Sequence, residues 1–139
     1  MNAVAHQAYQ LFPGDAASIK RARQWTADTL MDTTPQLPAQ VISDVILIVS
    51  ELATNAIRHT ASDSGTYTVT LETDRAQVRV WVMDQGGAAT LPIARTPGRM
   101  DVSGRGLAIV EAFSDTCGPI LTTEATGYMA TIDLTEPSP

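Results

Sequence analysis

Hydrophobic positions change period several times along this chain. Val69, Leu71 and Thr73 alternate with Thr68, Thr70 and Glu72, and Val78, Val80 and Val82 alternate with Arg79, Trp81 and Met83. A period of two marks strands with one buried face, and the short stretch from Thr73 to Gln77 reads as their hairpin connection. Elsewhere the period is helical. Val41, Val45, Ile48 and Leu52 form one stripe in a helix predicted from Ala39 to about His59. Ile19, Ala22, Thr26 and Leu30 form another, with Asp15 placed as its N-cap. A third helix is expected from about Gly104 to Phe113.

A short edge strand, Ala8 to Phe12, precedes Pro13-Gly14, and two final strands are expected near Pro119 to Glu124 and Tyr128 to Leu134. Ala125-Thr126-Gly127 would be the turn between them. The stretch from Gln85 to Ser103 has glycines, prolines and no periodicity, and long loops of this kind are often functional lids. The resulting order, β-α-α-β-β-loop-α-β-β, predicts an α+β fold: a two-layer sandwich whose mixed, mostly antiparallel sheet has helices on one face.

Length and composition narrow the function classes. A chain of 139 residues suits one domain spanning 1–139, with loose ends at 1–7 and 136–139. A net charge of −6 argues against direct nucleic-acid binding, since Lys20, Arg21 and Arg23 are the nearest thing to a basic cluster. Cys117 is the only cysteine, so no internal disulfide can form and a reducing, cytoplasmic setting is expected. No uninterrupted apolar run approaches a membrane span, and no membrane association is expected.

Three segments carry candidate chemistry. In Glu51-Leu52-Ala53-Thr54-Asn55-Ala56-Ile57-Arg58-His59, Glu51 and Asn55 project from one helix face, with Arg58 and His59 a turn further on. An amide oxygen there suits Mg²⁺, and a neighbouring carboxylate can accept a proton; the same residues also read as polar positions facing solvent at a helix end. Asp84-Gln85-Gly86-Gly87 follows a strand. Its carboxylate could accept from an exocyclic amine while the glycines admit a ligand, or it could simply be a turn. Gly104-Arg105-Gly106-Leu107 opens a helix, where free N–H groups, the helix dipole and a guanidinium suit phosphate. It is not a dinucleotide fingerprint, because Ile109 stands where the third glycine would be.

In their order and spacing these segments resemble the motifs of the Bergerat-fold (histidine-kinase-like) ATPases: Glu51-x-x-x-Asn55 the N box, Asp84-x-Gly86-Gly87 the first glycine box, and Gly104-Arg105-Gly106-Leu107 the second. Ser50 to His59 and Ser103 to Val110 look closest to the anti-sigma-factor serine/threonine kinases and the related small ATP-binding regulators of actinobacteria. The resemblance also takes in Pro13-Gly14-Asp15 and Arg21-Ala22-Arg23, nearly the whole chain.

The resemblance implies ATP and Mg²⁺ as cofactors. It makes Asn55 the metal ligand, Glu51 the general base for a serine hydroxyl, and Asp84 the adenine partner with Gly86 and Gly87 beside the purine. Residues 88–103 become a lid, and Gly104, Arg105, Gly106 and Leu107, with Arg58, join the nucleotide-binding set. His59 reads as a structural residue. Met129 stands where relatives usually carry a threonine that supports adenine, so it is expected at the base, where it can pack but cannot supply a hydroxyl. The implied function is an ATP-dependent serine/threonine protein kinase that sequesters a sigma factor and phosphorylates an anti-sigma-factor antagonist, with homodimers possible. The alternative is a non-catalytic ATP-binding interaction module, which Met129 favours.

Overall fold

The computed structural model describes residues 6–33, 36–60, 65–84, 104–122 and 125–134. Its elements run β1 (His6–Pro13), α1 (Ala17–Met31), α2 (Ala39–Thr60), β2 (Thr66–Thr73), β3 (Gln77–Asp84), α3 (Gly104–Phe113), β4 (Thr116–Leu121) and β5 (Thr126–Asp133). The strands form one sheet in the order β1-β2-β3-β5-β4. All four pairings are antiparallel, so the mixed pairing allowed for above does not occur among the described residues.

The alternation places Tyr67, Val69, Leu71 and Thr73 of β2 and Val78, Val80, Val82 and Asp84 of β3 on the buried face of the sheet. There they meet α2, which buries Val45, Ile48, Val49, Leu52, Ala53 and Ala56 and packs against β2, β3 and β5. Ala39–Arg58 is 20 residues long with a mean hydropathy of 1.4 in an 18-residue window, long and apolar enough by length and composition to cross a membrane. The helix is interrupted by Ser43, Asp44, Ser50, Glu51, Thr54 and Asn55, so it holds no uninterrupted apolar run of that length. Its packing against the sheet and against both other helices is that of a core helix.

Helix α1 is tied to the sheet by a buried polar and aromatic contact. The hydroxyls of Ser18 and Tyr67 lie 2.6 Å apart, and Ser18 Oγ also donates to the Asp15 carbonyl at 2.9 Å. Phe12 stacks on Tyr67 at 5.6 Å and meets the Trp25 edge at 6.1 Å. The first helical residue is Ala17, yet the capping oxygen comes from Asp15, whose Oδ1 accepts from the Ser18 N–H at 3.1 Å. Thr26 is buried on this helix because its hydroxyl donates back to the Ala22 carbonyl at 2.8 Å.

The last hairpin is where the expected boundaries fail. β4 starts at Thr116 rather than Pro119, and β5 starts at Thr126 rather than Tyr128. The turn lies earlier than expected: the Thr122 N–H donates to the Ala125 carbonyl at 2.9 Å, and the Ala125 N–H to Thr122 Oγ1 at 2.9 Å. Two residues that look like turn or breaker signals are tolerated inside strands for different reasons. Pro119 lies on an edge strand, where one side of the ladder needs no donor. Gly127 is needed within β5, because a Cβ there would fall on the Val82 carbonyl oxygen and within 2.8 Å of Met83 Cα. The predicted loop from Gln85 to Ser103 lies outside the described residues, as do residues 1–5 and 136–139 of the expected loose ends, whereas His6 and Gln7 belong to β1.

Candidate functional site

A cleft opens between the C-terminal half of α2 and the ends of β3, β4 and β5. It is lined by Leu52, Asn55 and Ala56 from α2, Val82 and Asp84 from β3, Pro119 from β4, and Thr126, Gly127 and Tyr128 from β5. Helical spacing brings Leu52, Asn55 and Ala56 onto one face. Strand alternation does the same for Val82 with Asp84 and for Thr126 with Tyr128, and the register pairs Asp84 with Thr126 and Val82 with Tyr128. The cleft is therefore apolar along its walls with the polar groups of Asn55, Asp84, Thr126 and Tyr128 at fixed positions, the usual chemistry of a small-molecule site.

Asp84 is the electrostatic centre. It is 8% exposed, and burial raises its pKa above the ordinary carboxylate value. A buried carboxylate beside a threonine hydroxyl, flanked by Leu52, Ala56 and Val82, can recognise the amino edge of a flat heterocycle while apolar side chains cover its faces. The free space is narrow, about 40 Å³.

The remaining candidates are placed as follows. Glu51 is half-buried on α2, one turn before Asn55, and does not line the cleft. Arg58 is exposed on the next turn of the same helix. Gly104, Arg105, Gly106 and Leu107 open α3, which packs against α2. Leu107 lies against the hydrophobic core, and the side-chain placement of Arg105 is outside the described structure, as is that of His59. Gly86 and Gly87 fall outside the described residues.

Met129 is not at the cleft. It pairs with Trp81 on β3 and Gly118 on β4, on the opposite face of the sheet. The expectation that Met129 meets a bound base is corrected by the register: β5 begins at Thr126, so Thr126, Tyr128, Ala130 and Ile132 face the helices and Met129 faces away. The residue that sequence reasoning missed is Thr126, which it assigned to a turn. The period-two alternation of those four residues was the available signal, hidden by the glycine between the first two.

Comparison with known proteins agrees with this architecture. Residues 12–133 match the family model described as the histidine kinase-like ATPase domain. No curated protein sequence matches the chain. Among solved structures, the crystal structure of the RsbU and RsbW domains of Rv1364c from Mycobacterium tuberculosis superposes with a TM-score of 0.70 at 18% identity. That match covers 96% of this chain and 34% of the neighbour, so this chain spans about a third of it. At that identity the likeness shows a shared fold. With a family model matched over nearly its whole length, the chain belongs to the histidine kinase-like ATPase domain family.

Proposed function

We propose that this chain binds ATP in the α2–β3–β5 cleft and acts as an anti-sigma-factor serine/threonine kinase. The observation that carries the reading is the convergence of Asn55, Asp84 and Thr126 on one cleft in a histidine kinase-like ATPase domain. Asp84 would accept from the adenine amine with Thr126 beside it, and Leu52, Ala56 and Val82 would cover the base. The desolvated carboxylate of Asp84 fits such a ligand.

Asn55 supplies a hard amide oxygen where Mg²⁺ would be held; the ion, when bound, neutralises charge on the phosphoryl oxygens. Glu51, one turn away, would take the proton from a substrate serine hydroxyl. Gly86 and Gly87, the 88–103 segment, and Gly104, Arg105 and Gly106 with Arg58 complete the proposed nucleotide set. The partners in this reading are a sigma factor, which the domain sequesters, and the antagonist protein that it phosphorylates, in a reducing cytoplasm. The solved neighbour, which carries an RsbW domain beside an RsbU domain, supports a regulatory setting.

The alternative of a non-catalytic ATP-binding module drew on Met129 replacing a threonine at the base. With Thr126 in the cleft and Met129 on the other face, that support is gone. Glu51→Gln tests the choice, because it keeps size and hydrogen-bonding capacity while removing the base. It should bind Mg-ATP as wild type does and lose about 10²–10⁴-fold in phosphotransfer rate to an antagonist domain, read as phosphoserine by mass spectrometry. If wild type binds ATP, phosphorylates no antagonist, and nucleotide still changes partner affinity, the domain is a passive module.

A further inference from the structure

A second cavity lies at the other end of the sheet. Thr73 is six residues along β2 from Tyr67, the cross-strand partner of Asp84, which puts it ~20 Å from the cleft end at strand spacing. Two cross-strand pairs, His6 with Thr73 and Ala8 with Leu71, make the cavity floor. The last turn of α1 and the residues after it, Thr29, Leu30, Asp32 and Thr33, make the roof. The free volume is about 270 Å³, far more than in the cleft, because Ala8 and Thr73 are small where α1 comes to its end.

Three features define what would fill it. Leu30 and Leu71 give it an apolar wall. The roof is electronegative: α1 has no basic residue in its last turn, so its negative end is uncompensated, and Asp32 adds a carboxylate that makes no ion pair among the described residues. Among the described residues, no lysine or arginine lines the cavity. At its wall, Thr73 is 4% exposed, and its Oγ1 is a buried polar atom with no hydrogen-bond partner. Buried polar atoms are satisfied in nearly all native structures, and an exception asks for a missing partner. A metal ion does not fit, since His6 and Asp32 are the only ligand-type residues of the lining and no group of three occurs among the described residues.

We infer that this cavity is a binding site, separate from the cleft, for an organic cation: an alkylammonium or alkylguanidinium group, free or carried on a partner's lysine or arginine side chain. The alkyl stem lies against Leu30 and Leu71, the charged head meets Asp32 and the end of α1, and the Thr73 hydroxyl gains a partner. This assignment does not depend on the kinase reading, and no nucleotide is needed to test it.

The test is an amide NMR titration of the full chain at pH 8 with butylammonium, butylguanidinium, 1-butanol, and blocked tripeptides centred on lysine or arginine, each to about 50 mM, which reaches millimolar affinities. The cations should move the amides of Ala8, Thr33 and Thr73 saturably, and butanol should not. Asp32→Asn, at an exposed position, should weaken binding about tenfold, the equivalent of ~1.4 kcal/mol. Ala8→Leu, which fills the floor, should abolish it, with the rest of each spectrum confirming the fold. Response to the free cations points to a small-molecule ligand; response to the peptides alone points to a partner side chain, and either supports the site. No shift with any cation, an equal response to butanol, or undiminished binding by Asp32→Asn overturns it.

Discussion

Asp84 is under opposing demands. Because burial raises its folded pKa above the unfolded value, the folded state takes up its proton more readily than the unfolded chain. Keeping the carboxylate charged therefore costs stability at neutral and higher pH, and the cost disappears as pH falls below the unfolded pKa. Asp84→Asn should raise the melting temperature of the unliganded protein at pH 7.5, with the gap closing on acidification through the carboxylate range, and should abolish stabilisation by Mg-ATP. A variant that melts lower at neutral pH would show that the carboxylate serves the fold instead. Thr126 and Met129 make a second, paired prediction. Thr126→Val should weaken nucleotide binding by about 0.5–1.5 kcal/mol, the worth of one hydrogen bond, whereas Met129→Thr should leave calorimetric affinity unchanged. The reverse pattern would put Met129, and not Thr126, beside the bound base.

Among the elements, the hairpins show how local chemistry sets the frame. The β2–β3 turn is closed by Asp74, whose Oδ1 accepts from the Ala76 and Gln77 N–H groups at 2.7 and 3.0 Å while Oδ2 meets Arg79 at 3.0 Å. The backbone donors, more than the guanidinium, hold its pKa below the ordinary value. That stabilisation is present above the unfolded pKa and is lost as pH falls through the folded one. Asp74→Ala should cost about 1 kcal/mol in denaturant unfolding at pH 7, with no difference from wild type in strong acid. At β5, Gly127→Ala should cost about 1–3 kcal/mol, since the methyl group meets strand backbone that cannot move aside alone. It should impair nucleotide binding as well, because Gly127 lines the cleft.

For the whole molecule, the proposed ligand should act as a clamp between the two layers, since its contacts come from α2 on one side and β3 and β5 on the other. A ligand at a hundredfold its dissociation constant adds about 2.7 kcal/mol, on the order of 5–10 °C in a chain of this length. Differential scanning fluorimetry with Mg-ATP, and with EDTA as control, would read it. No shift at millimolar Mg-ATP would count against the ATP reading. The element order, the helix stripes and the inward faces of β2 and β3 were legible in the sequence, because each rests on a period within a single segment. Asn55 and Asp84 were legible as candidates for the same local reason. Which of the last strand's two faces meets the cleft was settled by the tertiary pairing, since Gly127 breaks up the alternation of Thr126, Tyr128, Ala130 and Ile132 locally. A shift of one residue in register exchanges the faces, and Gly127, which read locally as part of a turn, sits inside a strand because of what β3 presents to it. The cavity beneath the end of α1 was equally invisible, since its floor joins β1 to β2 across more than sixty residues of chain that only the folded sheet brings together.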